Sequence, residues 1–309
     1  MILNPASAAG ATGRRQGALI AEIEACLGSV EVECTKQPGD GTRIAHAAAL
    51  RGVERILVGG GDGTLNEVVT GLMEAADRER LELPRVGLLP LGSGWDFARS
   101  LGLPRDLAGA LSLVQRGKTR AVDLGRVTFT DTGGAARSRY FANEASAGLS
   151  GVTVQRVGDL SKRVGPRIGF ILGAVGAILS HRPLDASVEI DGLSVHEGAL
   201  SMIVAANGCY FGAGMKVAPS ASVDDGKLEV VVVRGLSLPR LLLNLPRLAL
   251  GRHAGHPSVS FHSARSVSVM PKEIGAPIDL DGESVGTLPM YAEILPKALR
   301  VFAEDGEQF

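Results

Sequence analysis

Cysteine is scarce: Cys26, Cys34 and Cys209 are the only three in 309 residues. The number is odd and the spacing suits no metal, so neither a disulfide framework nor a zinc site is expected, and the chain reads as reduced. The six histidines add none, because His46, His181, His196 and His262 stand apart and His253 and His256 share a stretch broken by Gly255 and Pro257. The chain opens without a charged-then-apolar leader, which predicts a cytoplasmic location. Excess charge is missing too, with a formal net charge of −1. Lys and Arg form no basic stripe, which argues against a nucleic-acid binder held by phosphate neutralisation, although local basic spots remain. Long apolar runs are absent: the stretches 168–180 and 236–250 are interrupted or short of the ~20 residues that span a bilayer. They read as buried helices or as helices that touch a membrane surface. No repeat or low-complexity tract suggests a solenoid.

What is present is a globular composition, 45% hydrophobic and 21% charged, on a chain long enough for two cores. Residues 1–125 alternate strand and helix signals, the pattern of an α/β domain with a parallel sheet flanked by helices. Strands are predicted at 1–3, 30–34, 55–58 and 86–89, and helices at 14–27, 42–51, 64–76 and 107–115. From about residue 126 to 309 the texture changes to short β-branched runs between glycine turns, which predicts a mainly antiparallel β-sandwich with helices at 166–179 and 239–250. The last residues are free to return to the first domain.

The strongest chemical signal is Val58-Gly59-Gly60-Gly61-Asp62-Gly63-Thr64-Leu65-Asn66, a strand that ends in glycines and turns into a helix. Glycines admit positive φ and let a phosphate approach, while the first amides of the helix point at the anion. Asp62 suits such a loop when a cation intervenes, so its expected role is to orient Mg²⁺ or its water shell. The Walker lysine is absent.

Gly60-Gly61-Asp62-Gly63-Thr64 resembles the signature shared by diacylglycerol, sphingosine and NAD kinases and phosphofructokinases. Leu89-Pro90-Leu91-Gly92-Ser93-Gly94-Trp95-Asp96-Phe97-Ala98-Arg99 resembles the second motif of the lipid kinase branch, usually Pro-x-Gly-Thr-x-Asn-Asp-Phe-Ala-Arg. Asn4-Pro5-Ala6-Ser7, Tyr140-Phe141-Ala142-Asn143 and Asp281-Gly282-Glu283 extend the likeness to soluble bacterial diacylglycerol kinases over nearly the whole chain. The departures are Ala8 and Ala9 where glycine is frequent, Ser93 for threonine and Trp95 for asparagine.

The resemblance implies an NAD kinase or phosphofructokinase-like first domain. It also implies ATP and Mg²⁺ as cofactors, and transfer of the γ-phosphoryl group to a lipid hydroxyl, diacylglycerol-like, in the cleft between the domains. It assigns nucleotide contacts to Asn4, Pro5, Ser7, Thr35, Gly59, Gly60, Gly61, Asp62, Gly63, Thr64, Asn66, Ser93 and Asp96. It ties Asp123 to the magnesium network, and Ser222, Asp225 and Lys227 to a structural Mg²⁺ loop that reads otherwise as an Asp-Gly turn. Spacing alone makes Asp281-Gly282-Glu283 a hairpin turn; on a strand, Asp281 and Glu283 would share a face. The resemblance gives one of them the role of general base, with the choice between them open. Lipid acceptors imply transient contact with a membrane surface, for which Lys162, Arg163 and Arg167 are candidates. A homodimer is compatible with the sequence. The rivals are an NAD or other small-molecule kinase and a non-catalytic nucleotide- or lipid-binding protein.

Overall fold

The computed structural model describes residues 1–304 except 80, 165, 181, 213 and 274, and it leaves out the side chains of 158–164, 166–168, 170, 171, 245 and 249. The expectations for Lys162, Arg163, Arg167 and His181 lie outside the described residues or side chains. The chain divides into two compact units, Met1–Val122 with Lys297–Phe309, and Asp123–Pro296.

In the first unit β1 (Ile2–Leu3) is followed by a short turn, α1 (Ala11–Arg14) and α2 (Gln16–Leu27). Then come β2 (Glu33–Cys34), α3 (Asp40–Leu50), β3 (Arg55–Gly60), α4 (Asp62–Glu79), β4 (Arg85–Pro90), α5 (Asp96–Ser100) and α6 (Leu107–Arg116). The strands pair in parallel in the order β2-β1-β3-β4, and Val301, near the end of the chain, pairs in parallel with Val86. Ile23, Leu57, Leu89, Leu111, Val114 and Phe302 form one buried cluster, so the C-terminal strand completes this core. Asp106 caps α6 by accepting the Gly109 amide at 2.8 Å, and Gly117 ends it in the left-handed region. α3 and α4 pack closely because Gly71 lies against the Thr42 carbonyl, where a Cβ would overlap. The sequence places the end of β3 at Val58, but the strand runs on through Gly59 and Gly60 and leaves Gly61 alone before α4.

The second unit takes up β5 (Thr119–Thr130), whose first residues belong to the first unit, then β6 (Ala136–Phe141), β7 (Glu144–Gly148), α7 (Leu149–Val164) and α8 (Pro166–Leu179). It continues with β8 (Leu184–Ile190), β9 (Leu193–Ala206), β10 (Leu228–Arg234), α9 (Leu238–Ala249), β11 (Val259–Ala264), β12 (Ser266–Pro271), β13 (Pro277–Leu280) and β14 (Glu283–Phe302). The registered pairings within this unit are antiparallel. β9 pairs with β8 along its first half and with β7 and β10 along its second, and β14 pairs in turn with β13 and β12. These two long strands close the layers on each other around a core of Phe141, Leu200, Ile203, Leu228, Val267, Leu280 and Met290.

α7 is not legible from local signals, since Val152, Val154, Val157, Thr153 and Gly151 lower helix propensity. Tertiary packing holds it: Gly151 sits against the Pro277 carbonyl, and Gly173 of α8 against Val157.

Candidate active site

Three loops of the first unit meet at the carboxyl ends of β1, β3 and β4, where open α/β sheets bind ligands. The Asn4 amide N–H donates to the Gly59 carbonyl at 2.8 Å, and its side-chain Nδ2 donates to Thr64 Oγ1 at 3.0 Å. Ser7 Oγ lies 2.8 Å from both the Asn4 carbonyl and Thr12 Oγ1, with one proton to share between them, and Thr12 Oγ1 donates in turn to the Leu91 carbonyl at 3.0 Å. Ala8 and Ala9, where the family pattern has glycine, carry φ of 50° and 54°, so the local conformation is one glycine would hold without strain.

None of Gly59, Gly60, Gly61 or Gly63 takes positive φ, contrary to the sequence expectation. Gly59 and Gly60 are instead favoured by close contact. A Cβ on Gly59 would lie 2.7 Å from Leu3, one on Gly60 would strike Thr64, and one on Gly92 would enter the Gly61 backbone. The first intrahelical bond of this turn is Leu65 N–H to the Gly61 carbonyl, which leaves the amides of Asp62, Gly63 and Thr64 without an acceptor inside the helix.

Asp62 does not aim at open solvent. Its Oδ1 accepts the Asp96 and Phe97 amides at 3.0 and 3.2 Å, which caps the short α5, and a Cβ on Gly94 would collide with the carboxylate. Burial raises its pKa, against the lowering effect of those two amides and of Arg99. Asp96 is buried and paired with Arg99 at 2.9 Å. Asn66 and Thr64 are buried as well, so these expected nucleotide contacts support the loop from within, whereas Asn4, Pro5, Ser7, Thr35, Gly61, Asp62, Gly63 and Ser93 keep surface. Thr35 follows β2, its amide on the Leu3 carbonyl at 2.9 Å. Glu67, which sequence reasoning missed, accepts the Gly39 and Gly41 amides at 2.9 and 2.8 Å and ties that loop to α4. Its only sequence trace is its place one turn into the helix after the glycine motif.

Trp95 caps α5 with φ 62° and is 8% exposed. Its indole Nε1 has no partner, and its ring shares a small cavity with Gly60, Gly61 and Asp62. It is therefore both buried and part of the wall beside the glycine turn.

In the second unit Asp281 and Gly282, with φ of 48° and 88°, are the two residues of a tight hairpin between β13 and β14. The expectation that Asp281 and Glu283 share a strand face fails here, because the turn sends the two carboxylates to different partners. Asp281 accepts the amides of Ala142, Asn143 and Glu144 at 2.8–2.9 Å, which straps the hairpin to the preceding segment. Glu283 accepts from Arg139 at 3.1 Å and remains partly exposed. Asp281 is engaged by three backbone amides, whereas the Glu283 side chain is 41% exposed.

Beside this hairpin lies a buried acid pair that sequence reasoning missed. Asp279 is 2% exposed and takes the Gly282 amide at 2.9 Å; Glu144 is 1% exposed and faces the Asp279 carboxyl and the Ser146 hydroxyl. Burial pushes both acids up, followed for Glu144 by the charge of Asp279 and for Asp279 by that of Asp281, and Asp279 reaches about 7. Glu144 and Ser146 alternate along β7 with Ala145 and Ala147, so the polar residues share the face opposite the sandwich core. On that face two small apolar pockets have Leu149, Ile178, Met202 and Leu248 in common, and the first reaches Asp279 and Ser150.

Asp123 is fully buried, with its amide on the Val223 carbonyl and its Oδ2 accepting the Gly226 amide, both at 2.6 Å. The Asn207 side chain bridges the Asp123 and Ala142 carbonyls at 2.9 and 2.7 Å. The fold thus brings Asp123 to the loop of Ser222, Asp225 and Lys227, two regions the sequence could link only by resemblance. Ser222 Oγ donates to Asp224, and Asp225 accepts the Lys227 amide at 3.0 Å. Burial first, and repulsion from Asp123 and Asp224, raise the Asp225 pKa, a crowding of negative charge that a cation would relieve. No cluster of three or more His, Cys, Asp or Glu side chains arranged for a metal occurs among the described residues. The donors fit Mg²⁺, which takes one or two carboxylates and fills its octahedron with carbonyls and water.

Amides free to meet an anion, gathered at the carboxyl ends of parallel strands, define a phosphate-binding α/β protein, and the acids and apolar cavities of the other unit suit an alcohol acceptor with an apolar body. Comparison with known proteins narrows this class. The diacylglycerol kinase catalytic domain matches residues 1–127, and the YegS C-terminal NAD kinase beta sandwich-like domain matches residues 143–303. A diacylglycerol kinase of Staphylococcus carnosus is 30% identical over 98% of this chain and 94% of its own length. A protein of Chromohalobacter salexigens named "Probable lipid kinase YegS-like" is 32% identical over 94% of this chain and 91% of its own. In fold, the crystal structure of a diacylglycerol kinase from Bacillus anthracis superposes with a TM-score of 0.72 at 21% identity, over 98% of this chain and 95% of that one. The chain belongs to the diacylglycerol kinase and YegS-like family of lipid kinases.

Proposed function

We propose that this ATP-dependent lipid kinase transfers the γ-phosphoryl group to the hydroxyl of a diacylglycerol-like lipid. The observation that carries the reading is the turn at Gly61, whose following amides lack helical acceptors while Gly92 and Gly94, having no side chain, let the neighbouring loop pack against the turn. The amides of Asp62 to Thr64 hold the nucleotide phosphates, with Asn4, Ser7, Thr35 and Ser93 on the rim. Asp62 positions the 92–97 loop through its amide bonds and adds negative charge beside the phosphates. Mg²⁺ is the cation that charge favours, and when bound it neutralises charge on the transferring group. Asp123, Asp225 and the carbonyls of Ser222 and Lys227 would hold a second Mg²⁺, whose charge would offset the crowded carboxylates of that loop.

Glu283, oriented by Arg139, takes the proton of the acceptor hydroxyl as its oxygen bonds to phosphorus and the bond to the ADP oxygen breaks. Asp281 holds the hairpin that presents Glu283. The apolar cavities under α7 to α9 take the lipid chain. No helix among the described residues is long and apolar enough to cross a membrane, so the enzyme would meet its lipid by visiting the bilayer surface. A radiolabelled ATP assay across a lipid panel in mixed micelles, with Mg²⁺ and with chelator, tests this. Phosphate transfer to diacylglycerol that needs Mg²⁺ is expected; transfer to NAD with none to any lipid would overturn it.

A further inference from the structure

Six of the ten large hydrophobic side chains that stand exposed among the described residues lie on α8, on α9 or at the residue that ends α9: Leu172, Leu179, Leu238, Leu242, Leu243 and Leu250. Leu243 is the extreme at 77% exposure. α9 packs against α8 and turns Leu241, Asn244 and Leu248 inward to line the second of the two apolar pockets. Its outward face carries Leu242 and Leu243 together with Arg240 and Arg247, all exposed. A helix with leucines turned to water gains nothing from them in isolation, and an apolar patch of this kind marks an interaction surface.

Charge indicates what covers it. Residues 238–252, which hold α9 and the turn after it, contain Arg240, Arg247 and Arg252, all exposed, and not one Asp or Glu. This helix is therefore basic in a chain whose formal net charge is −1. Exposed leucines interleaved with arginine on a short amphipathic helix suit an interface with apolar depth and anionic surface.

We propose that the outward face of α9, with the exposed leucines of α8, is the surface by which this protein docks on bilayers rich in anionic phospholipid. Leu243 and Leu250 enter the acyl boundary while Arg240, Arg247 and Arg252 meet headgroup phosphates. The biological purpose of such docking rests on the lipid-acceptor reading, but the docking itself does not require turnover.

Vesicle co-sedimentation without ATP tests it, using phosphatidylcholine vesicles with and without phosphatidylglycerol. Wild type is expected to bind the anionic vesicles and to be released by salt. Arg240→Gln with Arg247→Gln should weaken that binding roughly fivefold for each charge removed. Leu243→Ser with Leu250→Ser should weaken it by more than about tenfold, the scale of withdrawing two leucines from an apolar phase. Thermal melts should stay at the wild-type value, and so should lipid phosphorylation in detergent micelles, which reports separately on the proposed function. Equal binding to neutral and anionic vesicles, no binding at all, or indifference to both double variants would overturn the proposal. So would a wild-type dimer in analytical ultracentrifugation that the leucine variant converts to monomer, because a second copy would then be the occupant of this face.

Discussion

Replacing Trp95 with asparagine, the residue usual in the family pattern, sets three magnitudes against one another. The backbone at Trp95 has φ 62° and ψ 30°, a left-handed conformation that asparagine tolerates and tryptophan does not, so the change should recover about 1 kcal/mol of the 1–3 stored at such a position. The unpartnered buried Nε1 adds about another 1 kcal/mol of relief. Against these stands the loss of a ring that is 8% exposed, for which removal of a buried Trp costs about 3–5 kcal/mol. The loss dominates. Trp95→Asn should be less stable by roughly 1–3 kcal/mol, which at about 2–4 °C per kcal/mol lowers the melting temperature by several degrees. Trp95→Phe keeps much of the ring and discards the unsatisfied N–H, so it should melt close to wild type.

Because the sequence has a single tryptophan, intrinsic fluorescence reports from this place alone. The shared wall with Gly60, Gly61 and Asp62 predicts that titration with Mg-ATP shifts the emission. An asparagine variant as stable as wild type would refute the burial reasoning. A silent titration under conditions where nucleotide binding is shown independently would refute the placement of the ring beside the phosphate turn.

Asp62→Ala should remove two amide caps of α5 together with the charge beside the phosphates and lower turnover by about 10²–10³, measured as radiolabelled transfer, with circular dichroism unchanged. Glu283→Gln should depress kcat and leave the ATP KM near wild type, since a proton acceptor acts in the transition state; a raised KM with intact kcat would remove Glu283 from the base role. Asp281→Asn should instead lower the melting temperature, because the amides of Ala142, Asn143 and Glu144 would meet a neutral and partly donating group. For Asp279 the folded pKa, about 7, lies above its ordinary value of 3.8, so the folded state holds a proton the unfolded state has lost. Stability should therefore fall as pH rises through that window, by no more than about 4 kcal/mol, and then level off. Melts between about pH 5 and pH 8 should show the slope in wild type and a flatter one in Asp279→Asn; equal slopes would refute the buried-acid argument.

Local chemistry made part of this molecule legible before any fold was known. The alternation of apolar runs with helix periodicity gave the first unit's longer elements to within a few residues, though not the short α1 and α5, because the longer helices and strands keep their preferences without distant help. The exception was the end of β3, where Gly59 and Gly60 read as loop although neighbours on both sides hold them in strand register. α7 was illegible for the opposite reason, as its glycines and β-branched residues oppose a helix locally and become assets only against Pro277 and α8.

The chain itself determined which residue types stand at the turns: the glycines before α4, Asp-Gly at the hairpins, and an acid at position 62. These follow from steric and hydrogen-bonding rules that act over a few residues. Only the tertiary structure decided where their side chains point. It turned Asp62 onto the amides of residues 96 and 97, 34 and 35 positions away, and separated Asp281 from Glu283 across two left-handed residues. It also stacked Glu144 against Asp279 on neighbouring strands, where burial gives two unremarkable acids a shared and perturbed protonation. Carboxylates separated so widely along the chain carry no mutual signal in sequence, because their interaction depends on a strand register and on exclusion of water that exist only once the sheet has closed.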